Sequence, residues 1–199
     1  MIFDRFNIYT AYSAGRVTAS QEAITDLEGF SSALKIQCTT ADTSLAANEL
    51  FVLGQRIEGQ NVQGIQKGFS TAKEVTVSFY AKANETRVHV FEYYDTDNNR
   101  QCSKAFTVTT SWQRFSLTFP ADTIGKHDND NNNSLNFMWH LHSGSDLTSG
   151  TLNSSSFASA TSANRAVGIG SIVASTNNNF FITGVQMEIG DTATDFEHR

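Results

Sequence analysis

The stretch FFITGVQMEIGDTATDFEHR (Phe180–Arg199) decides how the rest of this chain must fold. Successive side chains of an extended strand point to opposite faces, so every second residue shares one environment. One face carries Phe181, Thr183, Val185, Met187 and Ile189, and the other carries Ile182, Gly184, Gln186 and Glu188. Nine extended residues span roughly 30 Å, which is enough to cross a whole domain. We therefore predict a long final strand that pairs with strands formed earlier in the chain.

The composition favours one folded β domain. The chain has 199 residues, of which 39% are hydrophobic and 17% are charged, and it has fifteen Phe against a single Pro. Low charge and abundant aromatic residues are typical of a packed core and not of a disordered chain. We interpret residues 1–199 as a single domain, because all-β domains commonly reach this length.

Charge and hydropathy argue against two classes of partner. The formal net charge is -6 at pH 7, whereas binding to nucleic acid needs a basic surface. The sequence has no apolar run of about 18 residues, the length that a membrane-spanning helix requires. We therefore expect no nucleic acid and no membrane among the partners.

The two cysteines, Cys38 and Cys102, lie far apart in the sequence. Each falls on the inward side of a predicted strand. Two cysteines do not make a disulfide framework, and buried free thiols are favoured over a bridge or a metal pair.

The rest of the chain shows further short alternating stretches, separated by polar turns. We predict strands over residues 17–21, 33–39, 49–58, 75–82, 86–94, 101–109, 112–119, 135–142 and 167–174. The four strands between residues 75 and 119 are joined by short turns, the first at Asn84-Glu85, which predicts an antiparallel meander. No window of 11 or more residues has a clean helical period. We predict an all-β fold, an antiparallel β-sandwich of jelly-roll type that forms a single domain.

Two regions lie outside this regular pattern. We interpret residues 1–30 as an N-terminal arm followed by the first short strand. The arm would pack through Phe3, Phe6, Ile8 and Tyr12. Residues 143–165 are rich in Ser, Thr, Ala and Gly, which predicts a long surface loop.

Several stretches, taken in order, resemble a domain that recurs in virion proteins of tailed bacteriophages. They are QRIEGQNVQG (55–64), VSFYAKA (77–83), SWQRFSLTFPADTIG (111–125), SLNFMWHL (134–141), SGTLN (149–153), ANRAVG (163–168) and ITGVQMEIGDTATDFEHR (182–199). The stretch from Trp112 to Phe119 is also similar to the jelly roll of carbohydrate-binding modules. The sequence departs from the phage pattern in having Asp195 where proline is usual, and in beginning almost at once with Asp4-Arg5-Phe6.

The resemblance implies a structural protein of the virion, and two functions are consistent with it. The first is a capsid decoration (cement) protein, a homo-trimer bound to the major capsid protein lattice on the outside of the head. The second is a tail-fibre receptor-binding module that contacts other tail proteins and recognises a host-surface glycan. Unless the chain is a fragment of a longer protein, we expect the short N-terminus to leave no room for a trunk, which favours the decoration protein.

A glycan site would need aromatic rings on an open sheet face, where the apolar side of a sugar can stack. Tyr80 on one predicted strand, with His89, Phe91 and Tyr93 on the next, would supply such rings. The alternative is that these rings fill a sheet interface or a subunit contact.

Two polar segments have the oxygen spacing that begins a calcium-binding loop. They are Asp95-Thr-Asp97-Asn-Asn99 and Asp128-Asn-Asp130-Asn-Asn132. Neither has the glycine at the sixth position or the glutamate at the twelfth, so ordinary Asx turns are favoured. A structural Ca²⁺ is compatible with a jelly roll, but the pattern names no ligands for it.

Candidate chemistry elsewhere is sparse. His140 and His142 project from the same face of one predicted strand, but no third metal ligand is close in sequence. The sequence has no Gly-x-Ser-x-Gly elbow, phosphate loop or HExxH helix. The acidic residues Glu92, Asp122 and Glu188 are scattered, and a solvated surface is the default interpretation. We predict no catalytic residues, no metal site and no cofactor, and we interpret the chain as not being an enzyme. A glycan-degrading enzyme that uses a pair of carboxylates is the remaining alternative.

Overall fold

The computed structural model describes residues 6–11 and 13–198. Strands hold 47% of its residues and helices only 8%. The strands are Phe6–Ala11 (β1), Arg16–Ala23 (β2), Ser32–Thr40 (β3), Leu50–Glu58 (β4), Val75–Ala83 (β5), Arg87–Asp95 (β6), Arg100–Val108 (β7), Gln113–Phe119 (β8), Asn133–Ser143 (β9), Ala158–Ser159 (β10) and Asn179–Ile189 (β11). One short helix, Ser145–Thr148 (α1), follows β9. Of the described helical segments, none is long and apolar enough to cross a membrane.

The strands form two antiparallel sheets that pack face to face. The order in the six-stranded sheet is β1-β4-β9-β6-β7-β10, and in the five-stranded sheet it is β2-β3-β11-β5-β8. The predicted fold class is confirmed: an all-β, antiparallel β-sandwich of jelly-roll type in a single domain.

The core between the sheets consists mainly of aromatic rings. The ring centroid of Phe79 in β5 lies 5.6 Å from Trp139 and 6.0 Å from Phe91, both in the opposite sheet. All three residues are fully buried. Burying a side chain of this size stabilises a fold by about 1.5–3 kcal/mol. Cys38 and Cys102 are buried free thiols in this core, as predicted.

The final strand, β11, lies in the middle of the five-stranded sheet between β3 and β5. The sequence predicts that Phe181, Thr183, Val185, Met187 and Ile189 share one face of this strand. In the structure only Val185 and Met187 of this set pack against the core. The register shifts at a β-bulge between Thr183 and Gln186, where Gly184 has a φ of +59°. An extra residue at a bulge reverses which side chains face inward. Phe181 and Thr183 therefore face outward, while Ile182 faces the core.

The predicted meander over residues 75–119 is wrong. β5 and β8 pair with each other in one sheet, and β6 and β7 pair in the other. Of these four strands, only β6 and β7 form a hairpin. The short connection at Asn84-Glu85 runs from one sheet to the other. A tight turn can join strands of two packed sheets as well as adjacent strands of one sheet.

Other predicted elements differ in extent. Residues 167–174 do not form a strand, and only Ile172–Ala174 form a 3-10 turn. The N-terminal arm contains β1, which pairs with β4, whereas Phe3 and Tyr12 lie outside the described residues. The predicted surface loop over 143–165 contains α1 and the short strand β10, which pairs with β7.

We expect Gly184→Ala to lower the free energy of unfolding by about 1–3 kcal/mol, because a side chain at this φ is strained. A Cβ there would also lie 2.7 Å from the ring of Phe30. Gly168→Ala is the matched control: its φ is +86° and no atom lies within 4 Å of the added Cβ. Urea unfolding curves that show Gly184→Ala to be no less stable than Gly168→Ala would contradict the crowding at the bulge.

Candidate functional site

The two outer faces of the sandwich differ in how well they are covered. A loop around Phe30 and the C-terminal segment around Phe196 lie over the five-stranded sheet. The ring of Phe30 lies 5.1 Å from the rings of both Tyr80 and Phe196. On the six-stranded sheet, the segment that follows β9 buries Leu147 and Ala166, and part of the face beside it remains exposed.

The four predicted glycan-binding residues do not share one face. His89, Phe91 and Tyr93 are fully buried on the inner face of β6. Tyr80 points the other way from the opposite sheet and packs against Phe30. The prediction of one open aromatic face from Tyr80, His89, Phe91 and Tyr93 is therefore wrong. The alternative interpretation of the sequence is that these rings fill the interface between the sheets. It is correct for the three residues of β6.

A different set of side chains lines the exposed part of the six-stranded sheet. We call it the tyrosine face, and it consists of Tyr9, Gly54, Arg56, Tyr94, Asn136, Met138 and Arg165. The strand register brings the set together, because Asn136 of β9 pairs with Arg56 on one side and with Tyr94 on the other. In the adjacent row, Met138 pairs with Gly54. Tyr9 and Tyr94 therefore lie at the two sides of the face, and Gly54, Asn136 and Met138 form its floor between them.

Tyr9 is positioned by a glycine and an arginine. The ring lies over Gly54, and a Cβ on that residue would come within 2.3 Å of it. Arg56 Nε donates a hydrogen bond to the Tyr9 hydroxyl at 2.7 Å. Its guanidinium carbon lies 5.4 Å from the centroid of the same ring. Gly54 is thus required for close approach of the ring, and Arg56 remains exposed beside it.

Tyr94 is positioned by a buried ion pair. Arg165 donates hydrogen bonds from Nε to Glu92 Oε1 at 2.7 Å and from Nη2 to Glu92 Oε2 at 2.9 Å. The guanidinium carbon of Arg165 lies 4.8 Å from the centroid of the Tyr94 ring. A bidentate pair fixes the orientation of both groups, so Arg165 is a rigid neighbour of the ring.

The ionisation of Glu92 is set by opposing effects. Burial raises the pKa of this carboxyl, but the hydrogen bond from His140 and the charge of Arg165 outweigh burial and hold the pKa below its ordinary value of 4.5. His140 Nε2 lies 2.9 Å from Glu92 Oε2. Glu92 is therefore an ionised group at neutral pH, with both oxygens engaged by neighbouring side chains.

The floor of the tyrosine face carries a polar atom without a partner. Asn136 Nδ2 donates to Thr96 Oγ1 at 3.3 Å. Asn136 Oδ1 is buried and has no hydrogen-bond partner among the described residues. A buried acceptor of this kind costs stability unless water or a ligand donates to it.

The histidines considered as metal ligands point to different carboxylates. His140 contacts Glu92, whereas His142 Nε2 lies 3.1 Å from Glu49 Oε2. Each imidazole is thus held in its own buried pair, and the two do not converge on one site. In the polar loop after β8, Asp130 Oδ1 accepts from the backbone N–H of Asn132 at 2.9 Å, as the predicted Asx turn requires.

Sequence reasoning missed every member of the tyrosine face. The alternation of β6 and β9 placed Tyr94 and Asn136 opposite to the core residues, and this signal could have identified them. Tyr9 fell in a region interpreted as an arm, and Arg165 fell in a predicted loop. Their proximity depends on the strand order, which the local pattern does not contain.

We expect Glu92→Gln to lower the free energy of unfolding at pH 7 by about 1.5–3 kcal/mol, because a hydrogen bond between charged groups is lost. The pKa of Glu92 is lowered by folding, so its contribution is complete above pH 4.5 and is lost as pH falls below that value. The difference between the parent protein and Glu92→Gln should therefore shrink in acid. Denaturant unfolding at several pH values measures it.

Glu58→Gln is the control for this comparison, since Glu58 is exposed and such substitutions usually change stability by less than about 0.5 kcal/mol. A difference between Glu92→Gln and the parent protein that stays constant from neutral pH into acid would contradict the proposed ionisation.

Comparisons with known proteins identify similar folds but no family. No protein-family model and no curated protein matches the sequence. The family 11 carbohydrate-binding module of a Clostridium thermocellum cellulosomal cellulase is 8% identical, with 96% of this chain and 89% of that chain covered and a TM-score of 0.47. The C-terminal family 22 module of Clostridium thermocellum Xyn10B is 10% identical, with 96% and 90% covered and a TM-score of 0.48. The enzymatically active domain of tailspike protein 4 of bacteriophage CBA120 is 10% identical, with 93% of this chain but only 19% of that chain covered and a TM-score of 0.49.

Proposed function

We propose that the chain is a glycan-binding module and that the tyrosine face is its binding surface. The observation that carries the proposal is the pair of half-buried tyrosines, each held beside an arginine, on the exposed part of one sheet. Fold similarity does not define function, so the proposal rests on these side chains.

The chemistry of the face matches the two kinds of surface that a sugar presents. An aromatic ring offers an apolar surface for the C–H side of a sugar, and the hydroxyl of tyrosine adds a polar edge. Arginine donates hydrogen bonds, and the hydroxyl of tyrosine can donate or accept one. A sugar hydroxyl can be either donor or acceptor, so both groups can bind it.

The layout suits an extended chain of sugars. Tyr9 and Tyr94 lie on strands β1 and β6, which are three strand spacings apart in the sheet. Neighbouring strands are about 4.8 Å apart, which separates the two strands by about 14 Å. A linear glycan lying across the sheet would contact one tyrosine near each end of this span.

We propose binding without cleavage. Glycoside hydrolysis needs two carboxyl groups that flank the scissile bond. On the tyrosine face the nearby carboxylate is Glu92, which is buried and held by Arg165 and His140. The prediction that the chain is not an enzyme is tested by incubating it with a bound polysaccharide and assaying for new reducing ends.

We further propose that this glycan is on a host surface and that the chain acts in a phage tail fibre. The ordered sequence resemblance to phage virion proteins supports the virion location, and the tyrosine face favours the receptor-binding function over capsid decoration. The prediction of a decoration protein on the capsid lattice rests on the resemblance alone. The homo-trimer is likewise a prediction, which light scattering on the purified protein would test.

We expect Tyr9→Ala and Tyr94→Ala each to weaken glycan binding by about 5- to 30-fold, as for the loss of a central aromatic contact worth about 1–2 kcal/mol. The parent protein is screened on an array of host polysaccharides, and calorimetry with the best ligand then measures the dissociation constants.

Tyr80→Ala is the control, because Tyr80 lies on the opposite outer face of the sandwich. Its affinity should equal that of the parent protein, and thermal unfolding checks that each variant is folded. An array without signal would contradict glycan binding. Loss of binding in Tyr80→Ala, with no loss in the other two variants, would place the site on the other sheet.

We expect few copies of the chain per particle if it belongs to a tail fibre. A decoration protein would instead be present in many copies, in proportion to the capsid lattice. Quantitative mass spectrometry of purified particles separates the two locations. A copy number that matches the major capsid protein would contradict the tail assignment.

A further inference from the structure

A second polar cluster lies at the end of the sandwich where β6 turns into β7. The turn contains Asp97, and β6 ends at the buried Asp95. The loop after β8 brings the buried His127 against both carboxylates. No part of the tyrosine face belongs to this cluster.

Three potential ligand atoms converge at this point. His127 Nδ1 lies 3.5 Å from Asp95 Oδ1 and 3.5 Å from Asp97 Oδ2. All three atoms lie within 4.8 Å of one another. A tetrahedral ion with ligands at about 2.0–2.1 Å keeps them about 3.3–3.4 Å apart. The observed spacing is thus close to that of a coordination shell.

The histidine supplies an independent indication of a ligand. Its side chain is only 2% exposed, and Nδ1 has no hydrogen-bond partner among the described residues. The other ring nitrogen, Nε2, lies 3.1 Å from the hydroxyl of Tyr93. That contact can fix the ring so that Nδ1 points between the carboxylates, as outer contacts do for histidine ligands of metals.

The carboxylates are also held in place by their surroundings. The backbone N–H of Asn98 donates to Asp95 Oδ1 at 3.2 Å, and the backbone N–H of Asp128 donates to Asp97 Oδ2 at 3.0 Å. The remaining oxygen of Asp95 lies 2.6 Å from Lys67 Nζ. Asp97 has no lysine or arginine partner in the ion pairs of the described residues, so its charge is not balanced there.

We propose that Asp95, Asp97 and His127 bind a divalent transition-metal ion of the zinc class. One imidazole nitrogen with two carboxylate oxygens suits such ions, whereas Ca²⁺ takes six to eight oxygen ligands. The side chain of Asp97 is 14% exposed, against 2% for His127 and none for Asp95, so the ion would reach the site from the side of Asp97. The positive charge of Lys67 beside Asp95 opposes binding and sets a limit on the affinity.

The site differs from the calcium loop considered from the sequence. Asp95 and Asp97 belong to that pattern, but the third ligand comes from residue 127, which lies in a separate loop. No sequence pattern groups the three residues, because the packing of the two loops brings them together.

Zinc chloride titrated into the chelator-treated protein, followed by calorimetry and thermal unfolding, tests the proposal. We expect saturable binding of one ion per chain and a rise in Tm of several degrees, because a ligand that binds only the folded state stabilises it. Calcium chloride at the same concentrations should give neither effect.

Asp97→Asn is the diagnostic variant, because Asp97 has the least buried side chain of the three and Asn has nearly the same size, so the substitution should not prevent folding. We expect it to bind zinc at least tenfold more weakly. Asp130→Asn is the matched control in the neighbouring loop, and its affinity should be unchanged. No binding by the parent protein, equal binding by Asp97→Asn, or a preference for calcium would each overturn the proposal.

Discussion

The aromatic contact between the two sheets is the constraint on which the rest of the structure depends. Phe79 of β5 meets Trp139 of β9 and Phe91 of β6 across the core, with the centroids of Phe91 and Trp139 4.7 Å apart. Rings of this size fill the space of about 10 Å between packed sheets. Each strand must therefore turn its large rings inward, and this leaves its alternate residues for the outer surface. The chemistry of the outer faces is set by what remains after the core is filled.

That division explains where the candidate site lies. On the five-stranded sheet, the outward side of β5 is covered by the C-terminal segment, with Phe196 packed on Phe30. On the six-stranded sheet, the segment after β9 covers one part and contributes Arg165 to the rest. The ion pair between Glu92 and Arg165 joins the segment to the sheet at the border between the buried and exposed parts. The same pair thus closes the fold and holds one side of the tyrosine face.

The sequence pattern predicted the inward rings of β5 and β9 but not those of β6, and it predicted none of their partners. Alternation identifies Phe79 and Trp139 as core residues because it depends only on the period of an extended chain. The assignment of β5 and β6 to different sheets depends on which distant strands complete each ladder, and a short turn is compatible with either outcome. Gly184 could have indicated the bulge, since an isolated glycine in a strand often marks one. The presence of Tyr9 and Tyr94 on one outer face, three strands apart, is a property of strand order, and no local signal encodes it.

Strand β6 connects the two candidate sites. Tyr94 points outward into the tyrosine face, and its hydroxyl donates to Asn99 Oδ1 at 2.8 Å in the turn that follows. Tyr93 points inward, and its hydroxyl contacts His127 in the polar cluster. The same turn supplies Asp97 to that cluster, so order in the turn restrains both tyrosines. Strand β6 has side chains on both of its faces. An ion bound by the polar cluster at the end of β6 can therefore stabilise the tyrosine face without contacting it.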